Sequence, residues 1–110
     1  MATTYKILGQ ASPSNTTANT LYTVPGSTSA VVSTITATNV SGTADRISIF
    51  VVASGDSPTT ANALVSEALL NENSVQAFTI GLTLSANDVI SVQSTTGSST
   101  TYQAFGTEIS

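Results

Sequence analysis

The segment Ala30-Val31-Val32-Ser33-Thr34-Ile35-Thr36-Ala37-Thr38-Asn39-Val40 decides the fold. Val31, Ile35 and Ala37 fall on one face of an extended chain, and Thr34, Thr36 and Thr38 fall on the other. Successive side chains of a strand point to opposite sides, so this spacing writes one apolar face and one threonine ladder, the composition of a half-solvated sheet.

The same period of two recurs on either side of that segment, each run bounded by Gly, Pro, Asn or Ser clusters. Towards the N-terminus, Thr3 to Gln10 alternates Tyr5 and Ile7 against Lys6 and Leu8, and ends in the loop-forming Ala11-Ser12-Pro13-Ser14-Asn15. Leu21 to Val24 is a short strand stopped by Pro25-Gly26. Beyond the turn Ser41-Gly42-Thr43, Arg46 to Ala53 sets Ile47, Ile49 and Val51 against Ser48, Phe50 and Val52. Both faces of that strand become apolar, so it is either central or covered by another subunit.

After Ser54-Gly55-Asp56-Ser57-Pro58 comes one ambiguous stretch. Ala61 to Leu70 is rich in Ala, Leu and Glu, which favour helix, yet Leu64, Ser66, Ala68 and Leu70 alternate as a strand would. Strand is the reading adopted, with Asn71-Glu72-Asn73-Ser74 as a hairpin connection into the next run. Phe78, Ile80, Leu82 and Leu84 then form the most regular core stripe, Val89 to Ser94 puts Ile90 and Val92 on one face, and Thr101 to Ile109 closes the chain. The expected fold is all-β: a single antiparallel β-sandwich of about eight strands, Ig-like or jelly-roll-like, forming one domain over residues 1–110.

Composition narrows the function. About a third of the residues are Ser or Thr; Lys6 and Arg46 are the only cations; His, Cys and Trp are absent. Such a chain lacks the usual general bases, soft metal ligands and phosphate clamps. Two isolated cations within a net charge of −4 cannot neutralise a row of phosphates, so no nucleic-acid partner is expected. No run of apolar residues is long enough to span a bilayer, no standard secretory signal is read at the start, and no membrane partner is expected. No phosphate-binding glycine pattern occurs. Gly26, Gly42, Gly55 and Gly97 read as turn residues, whereas Gly9, Gly81 and Gly106 fall inside strands and mark bulges or close packing.

Glu67 and Glu72, the nearest carboxylate pair, flank a turn rather than a cleft, and Asp56 and Asp88 read as turn-forming residues rather than calcium ligands. Ser and Thr have no activating His, and Lys6 is the only lysine. The chain is therefore read as non-enzymatic, with no catalytic residue, cofactor or metal. Interface residues are the remaining candidates: Phe50 and Val52 at the end of a two-faced apolar strand, with Tyr5 and Arg46. The loops Pro13 to Asn19, Gly55 to Ala61 and Gly97 to Ser99 contain no aromatic residue, which counts against a receptor- or glycan-binding module.

Five stretches carry a resemblance: Tyr5-Lys6-Ile7-Leu8-Gly9-Gln10, Leu21-Tyr22-Thr23-Val24-Pro25, Val31-Val32-Ser33-Thr34-Ile35, Leu84-Ser85-Ala86-Asn87-Asp88-Val89-Ile90-Ser91-Val92 and Phe105-Gly106-Thr107-Glu108-Ile109. In this order they resemble a family of small β-rich virion proteins of tailed bacteriophages, common among marine and cyanobacterial phages. The resemblance covers nearly the whole chain and departs most between Gly42 and Asn62. It implies a structural protein located in the virion and made in the host cytoplasm. That protein would be a capsid decoration or cement protein, or a neck, tail or fibre-associated subunit. The implied partners are further copies of itself, as a homotrimer, and the major capsid protein or a neck or tail protein.

Overall fold

The computed structural model describes residues 2–110 and contains the strands β1 (Thr3–Ala11), β2 (Asn19–Thr23), β3 (Ser29–Asn39), β4 (Asp45–Val52), β5 (Ala63–Leu70), β6 (Val75–Leu84), β7 (Val89–Ser94) and β8 (Thr100–Ile109). They form two antiparallel four-stranded sheets, ordered β1-β8-β3-β6 and β2-β7-β4-β5. Every connection except β4 to β5 crosses from one sheet to the other. This is the jelly-roll order; an Ig-like sandwich would place its first two strands side by side in one sheet.

Ala61 to Leu70 resolves as a 3-10 turn over Thr60–Asn62 followed by strand β5. Thr59 starts that turn with its Oγ1 accepting from the Ala61 amide, while the Asn62 side chain accepts from the Thr59 amide. The reciprocal capping satisfies the turn's free donors, and β5 follows as an edge strand beside β4. Asn71 to Ser74 is a turn as expected, but it is no hairpin: it carries the chain from β5 in the second sheet to β6 in the first.

The inward faces meet in a core of small branched residues. Val24, Val32, Ile35, Ile47, Ile49, Ile90, Val92, Tyr102 and Ala104 are all 1% exposed or less. Each buried Ile or Val contributes about 1.5 to 3 kcal/mol of transfer free energy, and branched side chains fit a pleated surface closely. Phe78, Ile80 and Leu82 face this core from β6 and are half-buried, because β6 is an edge strand; Leu84 is fully inside.

β3 departs from the simple alternation. Its register against β8 shifts between Val32 and Thr34, so Ser33 is an extra residue and the parity of the strand reverses there. Ala30 and Val32 point inward before the bulge, Ile35 and Ala37 after it. Val31 is consequently an outward residue rather than a companion of Ile35. In β5 a similar irregularity around Ser66 and Glu67 turns Val65, Ala68 and Leu70 inward and leaves Leu64 exposed. Glu67 has φ 49° there.

Both ends of the sandwich are closed by bonded polar side chains, fully buried at one end and partly exposed at the other. At one end Asp45 and Asn39 are each 1% exposed. Asn39 donates to the carbonyls of Thr43 and Leu70 and accepts from the amide and hydroxyl of Ser41, holding the β3–β4 turn. At the other end the Tyr22 hydroxyl donates to Glu108 at 2.5 Å, and Lys6 Nζ donates to the second oxygen of that carboxylate at 3.2 Å.

Candidate interaction surface

Each carboxylate that is buried or strongly bonded has a structural use. Asp45 Oδ1 accepts from the amides of Arg46, Thr95 and Thr96 and from the Thr95 hydroxyl; Oδ2 accepts from Ser99 and, at 2.6 Å, from Thr100. Burial pushes its pKa up, but the hydroxyls of Thr100, Ser94 and Ser99 and the Thr96 amide outweigh that and hold it below the usual carboxylate value. A carboxylate so filled with donors has no lone pair free to accept a substrate proton. Glu108 is likewise held low, first by the Tyr22 hydroxyl and then by Lys6 against a small burial penalty. Asp88 accepts from the amides of Ser85 and Ser54, the turn role read from its sequence context. Among the described residues no three His, Cys, Asp or Glu side chains gather where they could hold a metal ion.

The interface candidates do not form one surface. Tyr5 lies on β1 in the first sheet; Arg46, Phe50 and Val52 lie on β4 in the second. Phe50 and Val52 do point away from the main core, as their alternation requires, yet they are only 8% and 3% exposed. β4 is central in its sheet, and the 3-10 turn packs against it, with Thr60 beside Phe50. The central position of β4 is the first of the two alternatives read from its two apolar faces, and Phe50 is flanked by the chain's own turn. Arg46 is exposed, and its Nη1 donates to the Glu67 carbonyl at 3.2 Å. These two residues, with Ser48, Phe50 and Gln93, line an open depression of about 290 Å³.

The first sheet presents a different outer face. Tyr5 on β1 pairs with Thr107 on β8, which pairs with Val31 on β3 and through it with Thr83 on β6; Ile7 pairs with Phe105, which pairs with Thr34. Ile109 lies one row beyond, between Thr3 and Ser29. Neighbouring strands lie about 4.8 Å apart, so Tyr5, Ile7, Val31, Phe105 and Ile109 are contiguous. Tyr5 is 83% and Ile7 53% exposed. The rest of the face is Thr, Ser, Gln, Val, Ala and Gly, with Gln10 bonded to Gln103 at 2.8 Å. Among the described residues no charged side chain occupies it, because Lys6 and Glu108 have the opposite parity and turn to the inner side.

Tyr5 is the one residue of this patch marked as an interface candidate from the sequence. Ile7 shares its parity and could have been added on that signal alone. Val31 could not, because its outward direction depends on the bulge at Ser33, and Phe105 and Ile109 acquire their neighbours only through strand order.

No protein-family model matches the chain, and no curated protein matches it. Two solved structures are similar: that of infectious bursal disease virus Gx strain, with a TM-score of 0.48 and 10% identity over 97% of this chain, and that of the Gt strain, with a TM-score of 0.46 and 10% identity over 96%. This chain spans 31% of the length of each of those chains.

Proposed function

We propose that this protein is a non-enzymatic virion structural subunit, a capsid decoration or cement protein. It self-associates and lays the outer face of its first sheet on repeated sites of a phage particle. The observation that carries this reading is that face: four strands wide, free of charge, with an apolar corner made of the exposed Tyr5, Ile7 and Val31 and the half-buried Phe105 and Ile109. Depletion of charge with an aromatic and aliphatic centre is the composition of a contact core, and a flat face suits a repeating surface better than it suits a small ligand. Symmetry multiplies a weak contact, so a modest patch is sufficient when every copy finds an identical site. The resemblance adds the phage particle as the setting and a three-fold cluster as the bound arrangement.

The test is the copy number in purified particles, by quantitative mass spectrometry against the major capsid protein. A simple ratio to that protein supports decoration. A count matching one ring or a few fibres moves the subunit to the neck or tail, and absence from particles overturns the virion reading. Tyr5→Glu places a charge at the apolar corner without touching the core; it is expected to fold normally and to be lost from particles.

A further inference from the structure

A sandwich of two open sheets has four edge strands, and each offers unpaired backbone groups to another chain unless something blocks it. Here the edges are β1 and β6 in the first sheet and β2 and β5 in the second. β1 carries Lys6 and a register shift between Ile7 and Gly9. It is also closed against β2 at Gly9, where a Cβ would lie 2.1 Å from the Leu21 carbonyl oxygen. β2 has five residues and its own register shift. β5 carries Glu67 in a left-handed conformation and shifts register twice against β4. β6 differs from all three in its Val75–Thr79 half, ahead of its own register shift against β3 between Thr79 and Leu82. Val75-Gln76-Ala77-Phe78-Thr79-Ile80-Gly81-Leu82-Thr83-Leu84 contains no charge and no proline, and its pairing with β3 is regular from Val75 to Thr79.

We propose that the Val75–Thr79 part of β6 is a seam between two copies of this chain, paired antiparallel across a two-fold axis near Ala77. Three features select a second copy as the occupant. Each protomer carries a net charge of −4, and two like-charged molecules approach most readily along a strand that bears none of that charge. A two-fold contact is self-complementary, so one undefended edge per protomer is sufficient and the assembly closes. The joined sheet also covers what the edge position leaves open: Val75 is 63% exposed, and Phe78, though it faces the core, is only half-buried. The result is a continuous eight-stranded sheet, β1-β8-β3-β6 followed by its mirror sequence, whose outer face has no charge along its whole width. This deepens the self-association in the proposed function and uses a different surface from the apolar corner. The same seam can therefore join three-fold clusters on a particle.

The chain has no cysteine, which allows a direct test. Ala77→Cys puts one thiol on the exposed side of β6, close to the axis; Tyr5→Cys puts one on β1 as a control. Under mild oxidation the β6 variant is expected to form a disulfide-linked dimer and the β1 variant is not. Equal linking of both, or of neither, overturns the seam. In parallel, Ala77→Lys opposes two like charges across the axis, and self-association measured by light scattering should weaken about tenfold with unchanged circular dichroism. A wild-type chain that stays monomeric, or an assembly whose mass ignores this lysine, also overturns the seam. Neither outcome touches the copy-number test, so the failure of one reading is distinguishable from the failure of the other.

Discussion

Asp45 illustrates how a single residue of this chain takes on a structural task that would otherwise need an apolar plug. An ionised carboxylate is costly to bury, and it is tolerated here because six donors from β4, β7–β8 and their turn converge on its two oxygens. Its pKa in the folded protein is below that of the unfolded chain, so at intermediate acidity the unfolded state binds more protons and stability rises with pH. The stabilisation is complete above the ordinary carboxylate value of about 4 and is lost as pH falls through the lowered one. Glu108 acts in the same direction. The melting temperature should therefore drop steeply on acidification below about pH 4, and Asp45→Asn should flatten part of that slope. At neutral pH the same substitution turns an amide donor towards donors and should cost about 3 kcal/mol in chemical denaturation. A loss within error would mean that the turn between β7 and β8 holds without the carboxylate. On the alkaline side the sign reverses. Burial pushes the Tyr102 phenol up to about 12, with Asp45 adding to it and the Ser94 hydroxyl opposing it; Tyr22 is also raised, by burial first and then by Glu108. Stability is full below the ordinary tyrosine value of about 10 and falls as pH rises above it. Phenolate absorbance should then show Tyr22 and Tyr102 ionising together with unfolding.

At the scale of the strands, the interstrand glycines give a sharper test than the core stripe. A Cβ at Gly106 would sit 2.1 Å from the Val31 carbonyl oxygen and 3.0 Å from the Val32 Cα, whereas nothing lies within 4 Å of one at Gly81. Gly106→Ala must push β8 away from β3 at the Ser33 bulge and should cost about 1 to 3 kcal/mol, the usual range for overpacking, while Gly81→Ala should be close to neutral. Likewise Ile35→Ala, in the closed core, should cost about 2 to 5 kcal/mol and half-buried Ile80→Ala less. These contrasts mark what could be read from the sequence. Alternation located all eight strands, and β7 spans Val89–Ser94 as the spacing alone requires. Alternation also oriented Ile47, Ile49 and Val51 inward and Phe50 and Val52 outward, correctly. It could not reveal that Phe50 would be flanked by the chain's own turn, because that contact is a tertiary event between β4 and a residue ten positions further on. Nor could it find the bulge at Ser33, since Val31-Val32 supplies an apolar residue for either parity. Gly9, Gly81 and Gly106 looked alike in sequence, and only strand order separates the two that meet a backbone from the one that does not.

For the whole molecule, the decisive fact is that its first sheet joins the two ends of the chain. β1 has no sheet neighbour other than β8, from Thr3 opposite Ile109 to Ala11 opposite Tyr102, and the Ala2 and Ser110 backbones bond each other at 2.8 and 2.9 Å. Ordering this pair means closing a loop of nearly the full chain, and non-local pairing of this kind places folding in the millisecond-to-second range. A circular permutant that joins the ends through about five residues and opens the exposed loop between Thr17 and Ala18 makes β8 and β1 a local hairpin. Closure entropy scales with the logarithm of loop length, so shortening the loop about twentyfold removes roughly 2 to 3 kcal/mol of it. If β1 docks in the folding transition state, the permutant should refold up to about 100-fold faster, with an unfolding rate little changed. An unaltered refolding rate would assign the nucleus to β8, β3 and β6, the strands whose pairing continues without the N-terminus, and would make β1 the last strand to dock. In that case the edge that carries Tyr5 and Ile7 is also the first to open, and hydrogen exchange should find the amides of β1 less protected than those of β3.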